Sequence, residues 1–323
     1  MPLLFKELLI MAHVGEMIAL GVAVSWTATA LFADIASHRI GALTLNLIRM
    51  VLSILMLSLL LWVVTGSPYP TGANAAAWGW LLLSGVVGYV FGDYCLFNSY
   101  IVFGSKFGQL FMTLAPPMAG ITGWLLLGEV MTWHSWLAML VTLSGIAFTI
   151  LVRGEGHKLK LKLPLKGILF GIGAGVGQGV GLVLSKIGLN YYEQNLPAHL
   201  SADSATSFML PFAGTYIRAL AGLVGFFLIL CLRHSLKDMK TAVHDRKGMT
   251  YATLTTFFGP FVGVSMSLMA VQYAPAGIAS TLMALTPVLI IVPYSIINHQ
   301  KISLKEVIGT LITMTGVAMF FLL

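Results

Sequence analysis

From Val14 to its last residue the chain runs in stretches of about twenty apolar residues, broken only by short polar or Gly/Pro segments. A helix rises 1.5 Å per residue, so a run of roughly 20 matches the hydrocarbon thickness of a bilayer. In lipid every backbone N–H and C=O must be paired internally, which leaves helices or closed barrels. Barrel strands alternate apolar and polar residues over about ten positions, and these runs do not alternate. Ten of them can be drawn, at 14–35, 43–65, 77–100, 106–127, 133–152, 165–189, 208–232, 249–272, 276–297 and 304–323. The expected fold is an all-α integral membrane protein of ten transmembrane helices.

Charge supports the same class. The 18 Lys+Arg and 11 Asp+Glu make up 9% of 323 residues, against about 25% in a soluble domain. A soluble globule, a nucleic-acid binder and a disordered chain are therefore excluded, and the expected surroundings are membrane lipids. The first residues, with Lys6 and Glu7, have no small-residue cleavage signal and read as something other than a cleaved leader. Cys95 and Cys231 fall inside apolar runs and read as small hydrophobes. When the ten runs are joined alternately, fourteen of the basic residues, from Arg39 through the 153–166 and 233–247 segments to Lys305, fall on one side. The other side holds only Lys6, while Arg49, Lys186 and Arg218 lie within runs. By the positive-inside rule the basic side is cytoplasmic, so both termini are expected outside the cytoplasm.

The chain also repeats. Slid along the first half at a single offset and without gaps, the second half aligns Gly88 with Gly259, Gly92 with Gly263, Met112 with Met283, Pro116 with Pro287 and Gly145 with Gly316. Earlier in the chain the offset is shorter, pairing Gly21 with Gly173, Asp34 with Lys186 and Arg49 with Arg218. Two domains are expected, 14–152 and 165–323, each of five helices. Because five is odd, the copies cross the membrane in opposite directions. Inverted repeats are the architecture of secondary transporters, whose substrate site lies near the midplane at the repeat interface.

The residues Leu114-Ala115-Pro116-Pro117, Leu127-Gly128-Glu129 and Ser144-Gly145-Ile146-Ala147 resemble the fourth and fifth helices of the EamA-type, ten-helix branch of the drug/metabolite transporter superfamily. A second copy is present in Leu285-Thr286-Pro287 and Thr315-Gly316-Val317-Ala318, and Trp26 and Arg49 sit where the family places a Trp and an Arg. The resemblance covers nearly the whole chain and implies a carrier in the cell membrane, the inner membrane of a bacterium. Two features depart from it. The second repeat has His299-Gln300 in place of Gly-Glu, and the loop from Gly66 to Ala77 is uncharged, so the chain is expected to insert the other way up from many members.

Charges within hydrocarbon cost several kcal/mol unless paired or hydrated, so each intramembrane one marks a functional hypothesis. Asp93 sits well inside the third run with no Lys or Arg within a turn and is a candidate for a substrate amine or a proton, or for a structural pair with Arg49. Arg49 and Arg218 are candidates for holding an anionic substrate or for gating pairs, against the plainer reading of arginines that snorkel to the interface. Asp34 and Lys186 occupy equivalent positions near opposite mouths and are candidate gates, and Glu129 reads as interfacial. Trp26, Thr27, Thr29, Asn98, Gln109, Thr113, Gln178, Ser265, Ser267 and Gln272 are candidate cavity residues. Pro116 and Pro287 are expected to break their helices near the site, with Pro117 and Pro293 beside them. The six glycines from Gly171 to Gly181 follow no strand, so they read as two small-xxx-small packing rows rather than a nucleotide loop.

No metal spacing, catalytic triad or nucleotide motif is present, so neither a metal nor a cofactor is expected. The function these features favour is gradient-driven transport of a small metabolite or drug by alternating access, with export and proton coupling both compatible. The competing classes are an intramembrane enzyme acting on a lipid and a channel-like protein.

Overall fold

The computed structural model describes residues 13–151, 164–197, 200, 204–233, 236–293 and 304–322, apart from the side chains at 103–104, 106–107, 149–151, 204, 236–238 and 306. Lys6, residues 153–163 of the basic 153–166 segment, His299, Gln300 and Lys301 lie outside them. Among the described residues there is no strand. The first half contains α1 Val14–Ile40, α2 Ala42–Thr65, α3 Ala75–Gly85, a π-helical segment Val86–Asp93, α4 Tyr94–Phe111, a 3-10 turn Met112–Leu114, α5 Ala115–Leu127 and α6 Trp133–Leu151. The second contains α7 Leu165–Gln194, α8 Ser204–Leu232, α9 Leu236–His244, α10 Arg246–Thr256, a π-helical segment Phe257–Val264, α11 Ser265–Tyr273, α12 Ala276–Met283, α13 Thr286–Leu289 and α14 Leu304–Leu322. Eight helical segments are long and apolar enough to cross a membrane, and two shorter apolar ones cover Trp133–Phe148 and Val307–Leu322.

Several helices outrun the apolar runs that predict them. α1 continues to Ile40, past His38 and Arg39, and α7 continues to Gln194. Apolarity limits what lipid can cover, whereas a helix continues into water wherever its residues tolerate it. The polar stretch after α8, read as a plain connection, contains the short amphipathic helix α9. Between the third and fourth runs the chain folds back within α4. A Cβ at Gly108 would lie 2.8 Å from the Ser99 hydroxyl, nine residues earlier, whereas a straight helix would hold those positions about 13 Å apart.

The repeat recognised in the sequence reappears as backbone geometry. The two π segments, Val86–Asp93 and Phe257–Val264, begin and end at positions that the repeat alignment pairs. The fourth and ninth runs each break at the matching point, the first as the 3-10 turn Met112–Leu114 and the second as the turn between Met283 and Thr286. Pro116 and Pro287 each sit in the first turn of the helix that resumes, where a missing N–H removes nothing from the ladder.

The two copies interlock across their boundary. α1 packs on α10, α11 and α12 of the second repeat, and α7 packs on α3, α4 and α5 of the first. The glycines of α7 explain how closely. Gly171, Gly175 and Gly179 form one row against Phe111, Leu114 and Ala115, while Gly173, Gly177 and Gly181 form a second against Cys95, Gly92 and Gly88. A Cβ at Gly177 would lie 2.8 Å from the Gly92 Cα, so neither row admits a larger residue without separating the helices. Outside this core, α2 pairs with α8 and α6 with α14. Gly145 packs on Thr313 and Gly316 on Thr142, two contacts that are images of each other under the repeat.

Candidate functional site

Two small adjoining cavities lie where the repeats meet, sharing Trp26, Gln109, Met112, Gln178 and Val264 as a common wall. They measure about 60 and 40 Å³, enough for a few water molecules and well below the roughly 300 Å³ at which drug-sized pockets begin. The π segments help to form them, since each brings side chains and loosened carbonyls to the interface. Ser25 donates to the Phe258 carbonyl at 2.7 Å and Gln178 to the Gly88 carbonyl at 3.2 Å. Each is thus a contact from the first helix of one repeat to the π segment of the other. The same crossing places Trp26 on Gly263 and the Gln178 amide on Gly92, where a Cβ would lie 2.7 Å from the Trp26 Nε1 and 3.2 Å from the Gln178 Nε2.

The larger cavity holds a neutralised ion pair. Arg49 Nη1 donates to Asp93 Oδ2 at 2.9 Å and to Asn46 Oδ1 at 2.8 Å, and its guanidinium lies 4.6 Å from the centre of the Phe97 ring. The second Asp93 oxygen accepts from Gln178 at 2.5 Å. Arg49 and Asp93 are both buried. At this depth a lone charge would cost several kcal/mol, and each group here removes the other's penalty. Of the two sequence readings of Asp93, the pair with Arg49 is the arrangement present, and Gln178 draws the second repeat into it.

Arg218 lines the other cavity and has no such partner. It is only 3% exposed, and no carboxylate lies within 4.0 Å of it among the described residues. Its guanidinium carbon is 4.9 Å from the Tyr89 ring centre, and both its Nε and the Tyr89 hydroxyl are buried without a hydrogen-bond partner. Gly88 makes room for this side chain, since a Cβ there would lie 2.8 Å from Nη2. Gly259, the repeat equivalent of Gly88, does the same for Arg49 at 3.1 Å. Neither arginine snorkels out of the fold.

The two ends of the bundle carry different contacts. At one end Asp34 accepts from the Ser105 hydroxyl at 2.8 Å and lies 3.5 Å from His38. Nearby, Arg39 forms a bidentate pair with Asp245, both bonds at 2.9 Å. That bond and the Gly248 N–H hold the Asp245 carboxyl below its ordinary range. At the other end Lys186 pairs with Glu129 at 2.5 Å and donates to the Ala274 carbonyl, while Glu129 accepts from the Ala276 N–H at the start of α12. Glu129 therefore ties the repeats together, a role beyond the interfacial one its position suggests.

The remaining candidates separate by helical phase. Gln109 faces the shared wall and donates to the Tyr100 hydroxyl. Asn98 donates to the Tyr94 carbonyl and lines a different cleft, about 530 Å³, at the Arg39–Asp245 end. Ser265 is fully buried with an unpartnered hydroxyl and lines neither central cavity. Pro116 and Pro287 shape the breaks, and it is their neighbours Met112, Ala115, Met283 and Thr286 that reach the cavity. Tyr89, Phe97 and Tyr100 escaped the sequence reading, although they stand four before, four after and seven after Asp93 on its helical face. Among the described residues no group of three or more His, Cys, Asp or Glu side chains is placed to hold a metal.

Comparison with known proteins agrees with this architecture. The family model described as the EamA-like transporter family matches twice, at residues 13–151 and 165–322. No curated protein matches the chain. A solved structure described only as "Crystal structure of protein" is 16% identical and superposes with a TM-score of 0.69 over 95% of this chain and 96% of that one, which shows a shared fold. The chain belongs to the EamA-like transporter family, and it is a multi-pass membrane protein.

Proposed function

With that membership as premise, we propose that the chain is a gradient-driven carrier that moves a small metabolite or drug by alternating access. The observation that supports this most is the small space between interlocked inverted repeats, bordered by a broken helix from each. A rigid-body rocking of one repeat against the other would open that space to one side at a time. The contacts between the repeats at the two ends, Arg39–Asp245 beside Asp34 and Lys186–Glu129, are then the links that break in alternation. In the full topology the eight long helices and the two shorter ones make ten crossings of a bacterial inner membrane, with both termini outside.

Counterflow in ATP-free proteoliposomes tests the mechanism. The expected result is transient accumulation of labelled substrate, driven only by unlabelled substrate on the opposite side. Flux indifferent to that trans substrate would instead favour a channel. Chemical conversion of bilayer lipid would favour an intramembrane enzyme. Accessibility of terminal tags in intact cells tests the orientation, and protection of both would overturn it.

A further inference from the structure

We propose that Arg218 is the receptor for the substrate's charge and that the transported molecule is a small organic monoanion with an apolar or aromatic body. This deepens the carrier reading and rests on it.

The inference comes from a place where the repeat symmetry fails. Arg49 and Arg218 occupy equivalent positions, and each is accommodated by the equivalent glycine of the other repeat. The partners do not match. The repeat equivalent of Asp93 is Val264, and Thr215 precedes Arg218 at the place where Asn46 precedes Arg49. The Thr215 hydroxyl donates to the Pro211 carbonyl and offers the guanidinium nothing. Of the three charged residues that line the cavities, Arg49 is balanced by Asp93. One positive charge, on Arg218, is left over.

A guanidinium in that position is costly unless an anion arrives to complete it. The rest of the wall limits what the anion is attached to. Trp26, Met112, Leu182 and Met283 present apolar and aromatic surface, and the polar side chains beside them, Gln109 and Gln178 among them, are uncharged. A dianion such as a phosphate monoester would need a second free cation, and Arg49 is already engaged. A neutral or cationic substrate would leave Arg218 uncompensated. The chemistry that fits is a single carboxylate or sulfonate on a compact apolar group.

Binding and flux are measured separately. Purified full-length protein is screened by thermal shift against matched sets, each comprising a monoanion, its neutral amide and an amine of the same size, built on benzoate, benzenesulfonate, indole-3-acetate and hexanoate. The expected result is stabilisation by monoanions alone. Arg218→Gln is expected to weaken their binding by about tenfold or more, as for one buried charged hydrogen bond, with partial recovery in Arg218→Lys. Val264→Asp guards against simple misfolding: it keeps Arg218 and supplies the carboxylate that the first repeat has, so it should abolish anion binding while leaving the unliganded protein at least as stable. Stabilisation by neutral or cationic members, full monoanion binding in Val264→Asp, or no monoanion binding at all would overturn the proposal. Monoanion binding without counterflow would leave the site standing and remove the carrier reading. Counterflow of a neutral compound, unchanged in Arg218→Gln, would do the reverse.

Discussion

Arg49 and Arg218 occupy matching places in two copies of one helical plan, yet the first has an aspartate, an asparagine oxygen and a phenyl ring around it, while the second has a tyrosine ring and, among the described residues, no paired carboxylate. The backbone around both is the same in kind: a π segment, a glycine that admits the guanidinium and a broken helix opposite. The difference teaches that symmetry is held by what the bilayer and close packing demand of the main chain. Side chains on the cavity wall are under no such demand, and there the copies part.

The largest effect expected from breaking this contrast is in Asp93→Val, which gives the first repeat the residue that the second has. Arg49 would be left buried without a counter-ion, at a cost of about 3–5 kcal/mol, readable in chemical unfolding in micelles. A loss below about 1 kcal/mol would show that a buried arginine needs no partner in this fold, and the contrast would lose its meaning.

Next in size are the two accommodating glycines. Gly88→Ala and Gly259→Ala each push a methyl group towards a guanidinium, at about 1–3 kcal/mol for overpacking. The Gly88 variant should cost more, because its Cβ would lie 2.8 Å from Nη2 against 3.1 Å at Gly259. Reversal of that order in thermal unfolding would mean that Arg49, held by its pair, yields less readily than Arg218.

The two ends sharpen the comparison on a smaller scale. Glu129→Gln removes a partly buried ion pair while keeping an oxygen for the Ala276 N–H, and should cost about 1–2 kcal/mol, between exposed and buried pairs. Asp34→Asn keeps its acceptor for Ser105 and should cost under about 0.5 kcal/mol. Equal costs in unfolding would show that both ends are latched alike.

The smallest effect concerns pH. The Arg39 bond holds the Asp245 carboxyl below its unfolded value, so the stabilisation it adds is complete above the ordinary aspartate pKa near 3.9 and is lost as pH falls through the lower folded value. The pair is exposed, and water and salt screen it. Melting temperatures of Asp245→Asn and the parent should therefore converge slightly below about pH 4 and differ slightly above it. A gap that widens as pH falls would contradict this account.

Much of the architecture was readable in the order of residues alone. Runs of twenty apolar residues have one solution in lipid, and the register of the repeat forecast both helix breaks and the paired glycines. The same register already set Asp93 opposite Val264, so the missing partner of Arg218 left a trace that only needed to be sought. Other features left none. Asn98 is polar and near Asp93 in sequence, but five residues turn it about 140° around the helix, so it lines another cleft while Phe97 and Tyr100 stay on the cavity face. Glu129 meets the start of α12 147 residues away, a contact that no local pattern encodes. The π segments were equally hidden, because one extra residue in a turn changes no composition.

The sequence by itself determined the class of protein, its helices, its duplication and the short set of charges that lipid would not tolerate alone. Each follows from a constraint that acts on every residue wherever it sits: hydrocarbon excludes unpaired backbone and unpaired charge. Only the tertiary structure decided which charges found each other. Pairing depends on angstrom-scale approach between helices distant in the chain, and that approach gave Asp93 to Arg49 and left Arg218 on the cavity wall with no carboxylate paired to it among the described residues.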